Sequence, residues 1–82
     1  PLYRYLSDGE PLTLPVPMFN ILHGGRHAED STDFQELMVA PAGLSTFRAA
    51  LPAGAEVYQS MQRPMRALGF GITVGYVGGF VP

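Results

Sequence analysis

Two apolar runs flank a polar loop in the first half of the chain. Met18 to Leu22 is apolar except at Asn20, the pattern of a strand covered on both faces. Pro15 and Pro17 precede it. They allow extended backbone but donate no ladder hydrogen bond, so they belong at a strand entrance or edge. The pattern predicts a strand over residues 14–22, with Asn20 bracing a neighbouring backbone. A second strand is predicted over residues 34–40. Phe34, Glu36, Met38 and Ala40 share one face by two-residue alternation, and Gln35, Leu37 and Val39 share the other. Pro41-Ala42-Gly43 ends it. Between the runs lies a loop, residues 23–33, where Gly24-Gly25 permits positive φ and a close backbone approach.

The second half switches period. Phe47, Leu51, Ala55, Tyr58, Met61, Met65 and Leu68 recur at three- and four-residue steps, which predicts a helix over residues 45–68 and reads as packing surface. Ser45 or Thr46 can cap its start. Pro52 and Pro64 conflict with a helix, because each removes a donor and clashes one turn back at ~3 kcal/mol or more. A break near Leu51 and a stop near Arg63 are expected. Beyond it, Ile72 to Val74 predicts a short third strand, and Gly75, Gly78 and Gly79 a turn. Residues 1–13 read as a surface lead-in: an amphipathic piece, Leu2 to Leu6, a turn at Ser7-Asp8-Gly9, and Pro11. The fold class is α+β: a β-hairpin, a broken helix and a short third strand, with one domain over residues 14–82.

Composition narrows the function classes. The chain has 82 residues, 46% of them hydrophobic and only 15% charged. A typical chain is about 25% charged, and one this short hides only roughly 60–65% of its unfolded surface. Exposed apolar surface is therefore expected, and with it a homo-oligomer or a larger parent structure. There are no cysteines, which removes disulfides, thiolate metal sites and a cysteine nucleophile. A small secreted domain usually carries disulfides, so the cytoplasm is the expected compartment. Net charge is −2 with no basic run, which argues against nucleic acid. No apolar run approaches the ~18 residues of a membrane span. No GxGxxG opens a helix after a strand, so dinucleotide binding lacks support. The chain opens at Pro1 without a methionine and closes at Pro82 after a glycine-rich stretch, so both ends are expected to be cuts through something longer.

Candidate chemistry sits in the loop and the strand after it. Glu36 puts a carboxylate on an otherwise apolar face, and charged groups are rarely buried without a partner. His27 lies in the glycine-rich loop before it, and a His with a carboxylate can do acid–base work or orient an anion. A plain surface-loop role explains His27 equally well. His23 and His27 are four apart and form a weak metal alternative, helped by Glu29, Asp30 or Asp33, but Gly24-Gly25 makes a helix there doubtful. Ser45 and Ser60 have no histidine nearby in sequence, so a serine triad is unsupported.

The stretch LPVPMFNILHGGRHAEDSTDFQELMVAP resembles the enolase family at the start of its barrel domain, where the pattern is close to PVPMxNIxNGGxHAxxxxDxQEFMxxP. FRAALPAGAEVYQSM is similar to the family's FREALRxGAEVFxxL, and TVGYVGGFVP to its TVGDEGGFAP. Three motifs in order cover about Leu14 to Pro82. The resemblance implies a slice of an enolase-type barrel, completed by self-association, from a parent that dehydrates 2-phosphoglycerate to phosphoenolpyruvate in glycolysis with magnesium. In that chemistry a Lys base takes the proton alpha to the carboxylate, metal ions stabilise the enediolate, and a Glu acid assists hydroxide loss.

Residue by residue, the resemblance makes His27 the substrate-binding His of GGxHA. Gln35 and Glu36 become its QE pair beside the phosphorylated substrate, with Glu36 the remaining catalytic candidate. Val77 occupies the acid's place in GDEGGF and cannot transfer a proton, and Tyr76 replaces the adjacent Asp. The chain has no lysine, and the family's three acidic magnesium ligands lie past its end. Further departures are His23 for the family's Asn, Leu37 for its Phe, and the two prolines in its helix. No cofactor is expected in this chain itself, since magnesium belongs to the parent. General acid–base groups alone are worth ~10²–10⁴-fold, so the expectation is a self-associating segment without enolase activity. The alternative is a small enzyme or binding protein with new, for example hydrolytic, chemistry at His27 and Glu36. The sequence leaves its origin open: natural, selected or engineered.

Overall fold

The structure, a computed structural model, describes the backbone of residues 1–82 and every side chain except that of His27. In chain order the elements are helix α1 (Leu2–Leu6), strand β1 (Phe19–His23), a 3-10 turn (Gly25–His27), strand β2 (Glu36–Val39), helix α2 (Phe47–Ala67), and strands β3 (Thr73–Val74) and β4 (Phe80–Val81). The strands form one sheet in the order β2-β1-β4-β3. Antiparallel pairs join β1 to β2 and β3 to β4, while β1 and β4 run parallel with Leu22 opposite Phe80. This is the α+β class that the residue pattern predicts, and it is consistent with a slice of a barrel.

The strands are shorter than their apolar runs. Residues 14–18 are outside the ladder, and Met18 is 67% exposed rather than covered on both faces. Pro15 and Pro17 cannot donate to a ladder, so β1 begins only past them. The register of β1 on β2 shifts between Asn20 and Leu22, a bulge that lets Phe19 face Val39 and Leu22 face Leu37. β4 is an addition that the glycine-rich pattern hid, because two residues are too few to show alternation. At the other end, α1 stops where expected. Asp8 and Gly9 take positive φ, +48° and +84°, and Ser7 Oγ donates to Arg4 O at 2.9 Å.

The helix corrects two expectations. Thr46 is the cap, its hydroxyl accepting from Ala49 N–H at 3.1 Å. From there α2 runs unbroken through Pro52 and Pro64 to Ala67, with no break near Leu51 and no stop near Arg63. At 100° per residue, the carbonyls that the two prolines leave without a donor, those of Arg48 and Ser60, fall well off the buried stripe, where water can reach them. The packed stripe also differs. Ala50, Gly54 and Met65 are buried, with Tyr58 and Met61 half-buried between them, whereas Leu51 and Leu68 are exposed. The helix approaches β1 through its smallest residues. A Cβ on Gly54 would run into the Phe19 ring, so a larger side chain there would push the layers apart.

The buried apolar core is four residues: Ile21, Ala50, Met65 and Phe80. Phe80 is 1% exposed and stacks on Tyr58 with ring centroids 4.4 Å apart at 17°. Against this small core, the accessible surface is 6521 Å² for 8.9 kDa, where a compact monomer of that mass has about 4,800 Å². The Cα radius of gyration, 16.1 Å, likewise exceeds the ~12 Å expected of a compact domain of this length. Large apolar side chains of α1, β2, α2 and β3 stay exposed, including Leu2, Leu37, Met38, Leu51 and Val74.

Truncating Phe80 removes the ring that joins helix and sheet. Phe80→Ala is expected to cost ~3–5 kcal/mol and abolish cooperative unfolding, read by circular dichroism during a urea titration.

Candidate functional site

The hairpin loop folds back on the start of β2. Gly24 N–H donates to Gln35 O at 2.9 Å, and Gly25 N–H to Thr32 O at 2.7 Å. A Cβ on Gly24 would stand 2.5 Å from Phe34 O, and Gly25 sits at φ +64° with Gln35 Cα 3.3 Å from its Cβ position. Both glycines therefore do what the sequence requires of them: one admits backbone, the other turns left-handed. Ser31 Oγ adds a longer contact to His23 O at 3.4 Å.

This folding sets the candidate residues in place. Glu36, half-buried, is the ladder partner of His23, which is 2% exposed and the buried polar residue at the end of β1. Gln35 is exposed beside Gly25. His27 ends the 3-10 turn, but its side chain lies outside the described residues. Its assignment as a substrate ligand, and its pairing with His23 on a metal, lie outside them too. A polar cavity of about 570 Å³ opens on this loop, lined among others by Arg26, Asp30, Thr32, Asp33 and Gln35.

The second glycine turn meets the first through β1. Gly75 N–H donates to Gly79 O at 2.8 Å, and Gly78 N–H to Gly75 O at 3.0 Å, so residues 75–79 close tightly between β3 and β4. A Cβ on Gly75 would lie 2.6 Å from His23 Cδ2, and one on Gly79 2.9 Å from Asn20 Oδ1 and 3.2 Å from His23 Cβ. His23 therefore bridges Glu36, across the ladder, and the turn that holds Tyr76 and Val77. Tyr76 is 93% exposed and Val77 54% exposed. Asn20 does brace this turn, but by contact. Among the described residues, its buried Oδ1 and Nδ2 have no hydrogen-bond partner.

Residues 11–82 match the family model described as "Enolase, C-terminal TIM barrel domain". The chain belongs to that family. Seen as an enolase barrel segment, the hairpin loop and the 75–79 turn are two loops gathered at one end of the sheet, around His23. The arrangement offers a carboxylate at Glu36, and the exposed Val77 in the 75–79 turn carries no group that moves a proton. Among the described residues no three His, Asp or Glu side chains gather in a way that could hold a metal ion. No helix among them is long and apolar enough to cross a membrane.

His23 is the residue whose role sequence reasoning missed. It appeared there only as half of a weak metal pair and as a departure from the family. Its place directly after the apolar run and directly before Gly-Gly was the available signal. The glycine turn depends on that imidazole fitting closely. Gly75→Ala is expected to destabilise the fold by ~1–3 kcal/mol, whereas Gly71→Ala, whose Cβ would meet only Val81 O at 3.8 Å, is expected to be near neutral. Paired thermal melts check the difference.

Proposed function

We propose that this segment has no enolase turnover of its own and acts in the cytoplasm as a self-associating enolase-family piece. The observation that carries the reading is Val77 in the acid's position. An isopropyl group neither donates nor accepts a proton, and with no lysine among the 82 residues the segment supplies neither proton-transfer group of the parent lyase reaction. Glu36, which opens β2, and Gln35 just before it are relics of substrate binding, beside a loop whose cavity is lined by Arg26, Thr32 and Asp33. Self-association follows from the exposed apolar side chains, which a second chain can cover.

The test is an assay of phosphoenolpyruvate formation from 2-phosphoglycerate with saturating magnesium, alongside sedimentation equilibrium. Turnover indistinguishable from buffer and a mass above one chain are expected. Measurable turnover abolished by Glu36→Gln would overturn the first half, and a one-chain mass the second.

One other reading is a small hydrolase using His27 and Glu36, which flank in sequence the loop residues Arg26, Asp33 and Gln35 that line the cavity. It requires ester hydrolysis above background that falls at least ~10²-fold in both His27→Ala and Glu36→Gln, the scale of a lost acid–base group. Activity surviving either change removes this reading.

A further inference from the structure

The turn after α1 brings together a carboxyl group and an unshielded backbone nitrogen. The chain's aspartates are Asp8, Asp30 and Asp33, and of these Asp8 alone precedes a glycine. Glu10 N–H donates to Ser7 O at 2.9 Å, and Asp8 and Gly9 take φ of +48° and +84°, the signs of a type I′ turn. That geometry suits Gly9 and strains Asp8, since a Cβ is disfavoured in the left-handed region. Both residues are exposed, and a Cβ on Gly9 would meet nothing within 4 Å. Among the described residues, Gly9 N–H has no acceptor. The turn also precedes residues 11–82, so it is no part of the matched family segment.

We infer that Asp8-Gly9 is a site of spontaneous backbone modification, the conversion of Asp8 to isoaspartate. Gly9 N attacks Cγ of the protonated Asp8 carboxyl group and closes a five-membered imide. The N–Cγ bond forms, the Cγ–OH bond breaks, and the hydroxyl leaves with the Gly9 amide hydrogen as water. A second water then opens the ring. Addition at Cγ restores Asp8. Addition at the main-chain carbonyl carbon of Asp8 turns that carbonyl into a carboxylate and leaves the chain running through Cγ. No oxidant, metal or enzyme takes part. Neighbouring residues hold the two reacting atoms at a proximity that separate molecules lack. Ser31 and Phe34, which follow the other aspartates, crowd the same attack with their side chains, and Phe34 N–H is engaged by Thr32 Oγ1 at 3.4 Å. At Asp8 the ring geometry needs only local opening of a turn that one backbone bond closes. The product keeps its negative charge but adds one methylene to the main chain. Ser7 O and Glu10 N–H then no longer span a four-residue turn, and α1 loses its fixed connection to the segment after it.

Trypsin cuts after Arg4, Arg26 and Arg48, which puts Asp8 in the peptide Tyr5–Arg26 and the other aspartates in His27–Arg48. The folded chain, aged for weeks at mildly acidic pH, is digested and labelled with S-adenosylmethionine by a methyltransferase specific for isoaspartate. Label is expected to grow with time in Tyr5–Arg26, at a rate within a few-fold of the urea-unfolded chain, and to stay several-fold lower in His27–Arg48. Asp8→Asn is expected to gain label faster, because its amide reaches the same imide by releasing ammonia. Asp8→Glu is expected to lose it, because that ring would be six-membered. Circular dichroism checks that both variants keep the fold. A folded chain that stays unlabelled while the unfolded chain reacts, label that favours His27–Arg48, or label in Tyr5–Arg26 that survives Asp8→Glu would each overturn the assignment.

Discussion

Phe80 holds the layers of this protein together. Its backbone pairs with Val74 on one side and sits opposite Leu22 on the other, and its ring stacks on Tyr58 of α2. Without it, β3 and β4 have little to hold them to the hairpin, because each is two residues long and an isolated two-stranded ribbon is marginal in water. The helix depends on the same contact. α2 lies on β1 through Ala50 and Gly54, where close approach is possible but little area is buried, and it gains its aromatic anchor only at Tyr58. One stacked pair therefore couples helix, hairpin and glycine turn.

That coupling explains how the two loops are held together around His23. His23 sits against Gly75 and Gly79 because Phe80 draws the turn onto β1, and Glu36 sits opposite His23 because the hairpin register puts it there. Neither contact requires an acid at position 77. The turn closes through Gly75 and Gly79 backbone groups, so Tyr76 and Val77 are free to be any exposed residues. The architecture of the turn is set by these backbone contacts and not by the side chain at position 77.

The sequence disclosed the hairpin, the Gly-Gly loop, the Thr46 cap and the family, because each rests on local chemistry: alternation, positive φ, a capping hydroxyl, ordered motifs. It misled where a long-range contact decided the outcome. The predicted stripe takes in large apolar side chains such as Phe47, Leu51 and Leu68, but the helix face is chosen by closeness to the Phe19 ring, which favours Ala50 and Gly54. Pro52 and Pro64 suggested a break, yet the unpaired carbonyls fall where water serves them. β4 was invisible because its pairing with β1 spans the whole length of α2. Around the loop, the placement of Glu36 on the strand after Gly-Gly was legible, and the bridging role of His23 was not, since it arises from a turn more than fifty residues away.

What remains is a chain whose core is too small for its surface. Four buried apolar side chains face an accessible area well above that of a compact monomer, and folding free energies are differences of only a few kcal/mol. The self-association proposed above would link stability to concentration by mass action. The decisive measurement is the thermal unfolding midpoint across a hundredfold range of protein concentration. The account predicts a midpoint that rises steadily with concentration. A midpoint independent of concentration, with cooperative unfolding at every dilution, would contradict it.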